Sequence, residues 1–133
     1  MITVVAALIY SDGKLLVCQR KRGTSFAMMW EFPGGKVQSG ETLERALTRE
    51  LEEELGISAA IGPEVYRTQH RYADLSDPIE LIFFSAHIDP RTVRNLVFEK
   101  IDWRAPSSLL ELNFLPADSE LIEKLASGAL SIV

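Results

Sequence analysis

A single cysteine, Cys18, stands in the 133 residues, so no internal disulfide can form, a composition that fits a reducing compartment. Its thiol lies in the apolar run Leu15-Leu16-Val17-Cys18 and reads as a buried strand residue rather than a nucleophile. Histidine is almost as scarce. His70 and His87 have no metal-binding spacing with each other and read as ordinary strand residues, and no Ser/His/Asp or Cys/His arrangement for nucleophilic catalysis is discernible. There is no repeat, low-complexity tract or linker. The apolar N-terminus, MITVVAALIY, lacks a basic leader and is too short to span a bilayer; it reads as a strand, and with no targeting signal visible the cytoplasm is the expected location. Basic charge is also in deficit: a net charge of −5 argues against a non-specific nucleic-acid binder, which needs a basic face. Neither nucleic acid nor membrane is an expected partner, and oligomeric state is left open between monomer and homodimer.

What remains is ample for a core. Hydrophobic residues make up 47% of the chain, and the length suits one domain over residues 1–133. Residues 2–10 read as a buried strand, Ser11-Asp12-Gly13 as a turn and residues 14–19 as its hairpin partner. Residues 21–29 read as an irregular loop, and Pro33-Gly34-Gly35 as a break in regular structure. Further strands are expected at 57–70, 79–88 and 96–103, polar loops at 73–78 and 89–94, and short helices at 106–112 and 116–126. Strands interspersed with helices in so short a chain predict an α/β fold, one mixed sheet with helices on both faces.

The most telling stretch is the helix expected over residues 42–55, with Gly56 as its C-cap. Leu43, Ala46 and Leu47 form an inward stripe at i, i+3, i+4, and the next turn of that stripe meets Glu50, Glu53 and Glu54. Glu44, Arg45, Thr48 and Glu52 already fill the outer side. Like charges facing inward repel one another and lose hydration, so they stay ionised only around a strong positive charge. A divalent cation with oxygen ligands is the simplest candidate.

Gly35, Glu41, Arg49, Glu50, Leu51, Glu53, Glu54, Gly56 and Ile57 match, position by position, the signature of the Nudix hydrolases, which the chain thus resembles. Trp30-Glu31-Phe32-Pro33-Gly34-Gly35-Lys36 and Leu115-Pro116-Ala117-Asp118 look like the MutT-type branch. The resemblance implies an α/β/α sandwich, Mg²⁺ or Mn²⁺ as cofactor, and hydrolysis of a nucleoside diphosphate linked to another group. In MutT-type members the substrate is a nucleoside triphosphate, and the products are the monophosphate and pyrophosphate.

On that resemblance Glu50, Glu53 and Glu54 bind metal, with the Gly34 carbonyl as a further ligand, and position or deprotonate the attacking water. Glu99, in Phe98-Glu99-Lys100, competes with Glu53 for the role of base, while a plain surface Glu is its alternative. Glu41 and Arg49 are expected to brace the loop against the helix. Arg20 and Lys36 are candidates for phosphate contacts, Arg as a fork and Lys as a point charge, or else solvated cations. Phe32, Tyr72 and Phe83 are candidates for stacking on a base, Phe83 being the one most readily explained as core. Trp30, Met28 and Met29 are expected to close the loop or fill the core.

Asp118 departs from the Asn that often occupies this context in oxidised-guanine hydrolases. An ionised Asp only accepts hydrogen bonds, which suits the exocyclic amine of cytosine. It also suits guanine N–H groups, and a carboxyl protonated by burial could donate. The competing role is a helix N-cap. Three readings of function follow: a metal-dependent nucleoside triphosphate pyrophosphohydrolase acting on oxidised dGTP or on (d)CTP; a hydrolase of a nucleotide sugar or dinucleoside polyphosphate; and a non-catalytic nucleotide-binding module, from which signature acids would be expected to be lost.

Overall fold

A computed structural model describes residues 1–72 and 77–132. β1 (Ile2–Ser11) turns at Asp12-Gly13 into β2 (Lys14–Gln19) as expected, with Tyr10 opposite Leu15. After β3 (Trp30–Glu31) and β4 (Gly34–Lys36) comes α1 (Leu43–Leu55), then β5 (Ala60–His70), β6 (Ile79–His87), β7 (Lys100–Arg104) and α2 (Ser119–Ser127). Among the described residues these strands make one seven-stranded sheet in the order β3-β2-β1-β6-β5, with β4 also on β1 and β7 also on β2. β1 and β6 run parallel, from Ile2 beside Ile79 to Ile9 beside Ala86, and the other pairings are antiparallel. The sheet is therefore mixed.

The unbroken apolar run of β1 has a simple cause: both faces of the strand are covered. Alternation sends Val5, Ala7 and Ile9 into one core with Ala46, Leu47, Leu51 and Leu55 of α1. Ala6 and Leu8 point the other way, into a second core with Leu121, Ile122 and Leu125 of α2. Helix, sheet and helix stack as an α/β/α sandwich. α1 begins where the Thr42 side chain accepts from the Arg45 N–H at 3.2 Å, and it ends at Gly56 with φ 64, whose N–H donates to the Glu52 carbonyl.

Several expected boundaries move. Gly34 and Gly35 do not simply interrupt structure; they pair with Ala6 and Val5 as part of β4. The strand expected from 57 starts at Ala60, and its register shifts around Gly62-Pro63. The strand expected over 96–103 begins only at Lys100, because residues 94–96 instead cap α1: the Arg94 and Leu96 N–H groups donate to the Leu55 and Glu54 carbonyls. The helix expected at 106–112 is a 3-10 turn (Pro106–Glu111), and that at 116–126 divides into a 3-10 turn (Pro116–Asp118) and α2. Of the loop expected at 73–78, residues 73–76 lie outside those described. Leu130 and Ile132 of the C-terminal segment pack against the second core rather than projecting from it.

Candidate active site

The junction of β4 with β1 is where the two helices' territories meet. Gly34 has φ 155, and a methyl group there would overlap the Val5 carbonyl oxygen; one on Gly35 would overlap the Glu50 carboxyl. Glycine at both positions lets acids from α1 press against the strand. Glu50 lies against Gly35, and the Gly34 N–H donates to Glu54 Oε1 at 3.1 Å. Glu53 does not share this position. Its side chain is 57% exposed and lies 3.4 Å from Arg49, because the inward stripe continues through Leu51 and Leu55 and leaves Glu53 at its edge. So two of the three expected inward carboxylates face the strand, and the third flanks them.

Arg49 ties this corner together. Its Nε and Nη2 donate to both Glu41 oxygens at 2.8 and 2.9 Å, Nη2 also to the Lys36 carbonyl at 3.1 Å, and Nη1 to Glu50 at 2.9 Å. The fork, aided by the Gln38 N–H, holds the Glu41 carboxyl down at about 2. Glu54 moves the other way, up to about 8: burial is the main cause, repulsion by Glu50 the next, and the Gly34 N–H opposes both.

Register fixes what lies in front of this corner. Lys36, Val4 and Leu81 form one row across β4, β1 and β6; Gly34, Ala6 and Phe83 form the next. These residues floor a cavity of about 280 Å³ that Glu54, Glu31, Phe32, Tyr72 and Asp118 also line. Lys36 and Glu54 line it near β4, and Phe83 of β6 meets Phe32 edge-on at 6.2 Å. A broader depression of about 560 Å³ runs over the outer face of α1, and Glu53 and Arg49 contribute to it. It lies away from the aromatic residues.

The remaining expected residues fall as follows. Phe32 is 4% exposed, lines the cavity and touches Phe114 as well. Phe83 serves both core and cavity floor. Trp30 is core, as expected. Lys36 is exposed on the cavity face of β4. Arg20 does line the cavity, yet its guanidinium is engaged: Nη1 lies 3.1 Å from Glu31, and Nε donates to the Ser25 carbonyl at 2.7 Å. Asp118 is 3% exposed and occupies the N-cap position of α2 without making the capping hydrogen bond. Its carboxyl is raised to about 7 by burial and by Glu31. Glu99 is exposed just before β7, its N–H on the Gln19 carbonyl, and is not brought into the cavity. Two cavity residues escaped sequence reasoning. Glu31 had a signal, a lone acid in the apolar Trp30-Glu31-Phe32, whereas Phe26 in its loop had none.

The sheet carries a helix on each face, and the Glu-bearing helix is pressed against a glycine strand beside a cavity lined by both carboxyls and aromatic rings. The family model of the NUDIX domain matches residues 1–125, and the chain belongs to the Nudix hydrolase family, in its MutT-like group. It is 38% identical over 123 residues to the CTP pyrophosphohydrolase of Escherichia coli K12, spanning 92% of this chain and 90% of that one. To the 8-oxo-dGTP diphosphatase of Haemophilus influenzae it is 37% identical over 134 residues, 94% of this chain and 91% of the other. Among solved structures, the MutT NUDIX hydrolase of Burkholderia pseudomallei superposes with a TM-score of 0.78 at 29% identity, over 92% of this chain and 95% of that one.

Hydrolases of this family generally need a divalent metal, and the residues present fit one. Glu54 is a carboxyl that burial and Glu50 hold protonated in the protein alone, so a cation is what would let it ionise. Among the described residues no three Asp, Glu, His or Cys side chains gather into a ready cage. No helix among the described residues is long and apolar enough to cross a membrane.

Proposed function

We propose that this chain, acting as one domain over residues 1–133, hydrolyses nucleoside triphosphates to the monophosphate and pyrophosphate, with Mg²⁺ or Mn²⁺ as cofactor. The observation that carries the proposal is the delivery of Glu50 and Glu54 to the Gly34-Gly35 strand, where Glu54 also lines a cavity that Phe32, Tyr72 and Phe83 share. Bound there, the metal would neutralise phosphate oxygens and activate water. Glu50, Glu54 and the Gly34 carbonyl would hold it, with Glu53 beside them. Arg49 keeps Glu50 in place and links it to Glu53. Glu53, exposed beside Arg49, is the group we assign to take a proton from water. Lys36 presents its charge towards the polyphosphate.

Phe32 and Tyr72 give the base a hydrophobic, stackable seat, and Asp118 meets its polar edge. A buried carboxyl that gains or loses its proton near neutrality accepts from an amine and, when protonated, donates to a ring acceptor. That supports cytosine or an oxidised guanine as the base, the two chemistries named among the relatives, in a role of nucleotide-pool cleansing or cytidine nucleotide turnover in the cytoplasm.

The decisive experiment is pyrophosphate release with Mg²⁺ across a panel of nucleoside triphosphates, nucleotide sugars and dinucleoside polyphosphates. Turnover of triphosphates is expected. Glu53→Gln should lower it by about a hundredfold or more, the scale on which single active-site electrostatic groups act. A Glu53→Gln variant at wild-type rate would overturn the assignment of Glu53, and absence of turnover on every compound would overturn the enzyme reading in favour of a binding module.

A further inference from the structure

The loop over residues 21–29 brings Ser25 and Phe26 to the cavity, and it does so against backbone preference. Phe26 has φ 54 and Met28 φ 67, a region that bulky L residues rarely enter. Burial does not offset the strain at Phe26, whose side chain is a large aromatic left 41% exposed. Such outliers persist where their surroundings over-determine them.

Arg20 is the chief cause of that over-determination. Its backbone exchanges hydrogen bonds with the far limb of the loop, N–H to the Met29 carbonyl and carbonyl from the Met28 N–H, both at 2.9 Å. Its side chain donates to the Ser25 carbonyl at 2.7 Å and to Ser25 Oγ at 3.2 Å while pairing with Glu31 at 3.1 Å. Gln19 Nε2 adds a bond to the Met28 carbonyl at 3.1 Å. The loop so held sets the Phe26 ring 5.1 Å from Tyr72 at 46°, and Tyr72 in turn lies 4.4 Å from the His70 ring. Phe26 and Tyr72 both line the cavity.

We propose that Phe26 is a substrate-contacting residue: its ring and that of Tyr72 form an aromatic wall against which the planar base packs, and Arg20 is the positioning residue that keeps the ring there. The proposal rests on the nucleoside triphosphate reading above and adds to it the residue that sets base affinity. The geometry distinguishes it from a loop plug, because a plug would bury the ring. It also explains why the Arg20 fork is turned to Ser25 and Glu31 rather than left free for phosphate.

The test compares wild type, Phe26→Ala, Phe26→Trp and Arg20→Gln. Pyrophosphate release by wild type tests the parent reading on its own. Should wild type be inactive, calorimetric binding of nucleoside monophosphates to the same four proteins still tests the wall. Phe26→Ala is expected to raise KM for triphosphates by about thirtyfold, the middle of the range for one lost base stack, with kcat falling less than about threefold. The competitive inhibition constant of methyl triphosphate, which has no base, should move by less than about twofold. Phe26→Trp should restore KM. Arg20→Gln should raise KM as Phe26→Ala does, and combining the two should add nothing further, since both remove one interaction.

An unchanged KM in Phe26→Ala, an equal loss for methyl triphosphate, or no rescue by Trp would overturn the proposal. The exposed ring predicts a melting temperature for Phe26→Ala at or above wild type. If that variant melts early, Phe26→Leu keeps the bulk without the π face, and a wild-type KM in it would equally overturn the proposal.

Discussion

Asp118 has two positions open to it in sequence, cap or cavity, and the difference is a matter of titration. Folded, its carboxyl titrates near 7 instead of the ordinary 3.8, because burial and Glu31 disfavour the charge. Between those values the folded chain keeps a proton that the unfolded chain releases, so stability falls as pH rises through that window and levels off above it. Asp118→Asn removes the penalty. The variant is expected to melt above wild type at pH 8 and to lose that advantage steadily towards pH 4. At about 1.4 kcal/mol for every pH unit between the two titrations, the full difference is bounded at a few kcal/mol. Melting curves across that pH range check it; an advantage independent of pH would mean that the buried carboxyl's charge is not its source. Sequence could name this residue because it sits in a recognisable context. It could not aim the carboxyl, since that depends on Glu31 and Phe32 arriving from one distant segment and Tyr72 from another.

At the scale of elements, α1 was the most legible part of the chain and β4 the least. The helix is written locally: Thr42 to cap it, Leu47, Leu51 and Leu55 at four-residue spacing, Gly56 to end it. The two glycines of β4 carry no strand propensity, and only the presence of Val5 and Ala6 alongside makes them a strand. The same local-versus-distant divide separates Glu50 and Glu54, whose face could be read from periodicity, from Glu31 and Phe26, whose place in the cavity depends on loop closure.

The bond between these elements is testable through Glu41 and Arg49. Glu41 is held at about 2 against an ordinary 4.5, so its contribution is complete above the higher value and disappears as pH falls to the lower one. Glu41→Gln should therefore melt below wild type at neutral pH, and the gap should close between pH 4.5 and 2. A gap that persists at pH 2 would show that the ion pair is not its source.

For the whole molecule, a metal that binds the folded chain alone must stabilise it by mass action. Mg²⁺ at about a hundred times its dissociation constant adds about 2.7 kcal/mol, which for a domain of this size is a rise of several degrees in Tm. EDTA should abolish the rise, and Glu50→Gln with Glu54→Gln together should make the chain indifferent to Mg²⁺. A rise that survives both substitutions would locate the ion elsewhere. The layered architecture was foreseeable from apolar runs too long to have a wet side, such as β1; the short 3-10 turns at Pro106 and Pro116 were not, because proline marks where a helix starts but not how tightly it winds.

The sheet divides labour as well as space. α1 and its acids pack on one side of β1, while Ala6, Phe32 and Phe83 belong to the other, and the two meet where Gly34 and Gly35 leave the strand bare. On the proposed function, bond cleavage and base choice would fall on opposite sides of the sheet, joined at one seam. A lineage with that layout would be free to exchange one preferred nucleobase for another by altering the second side alone.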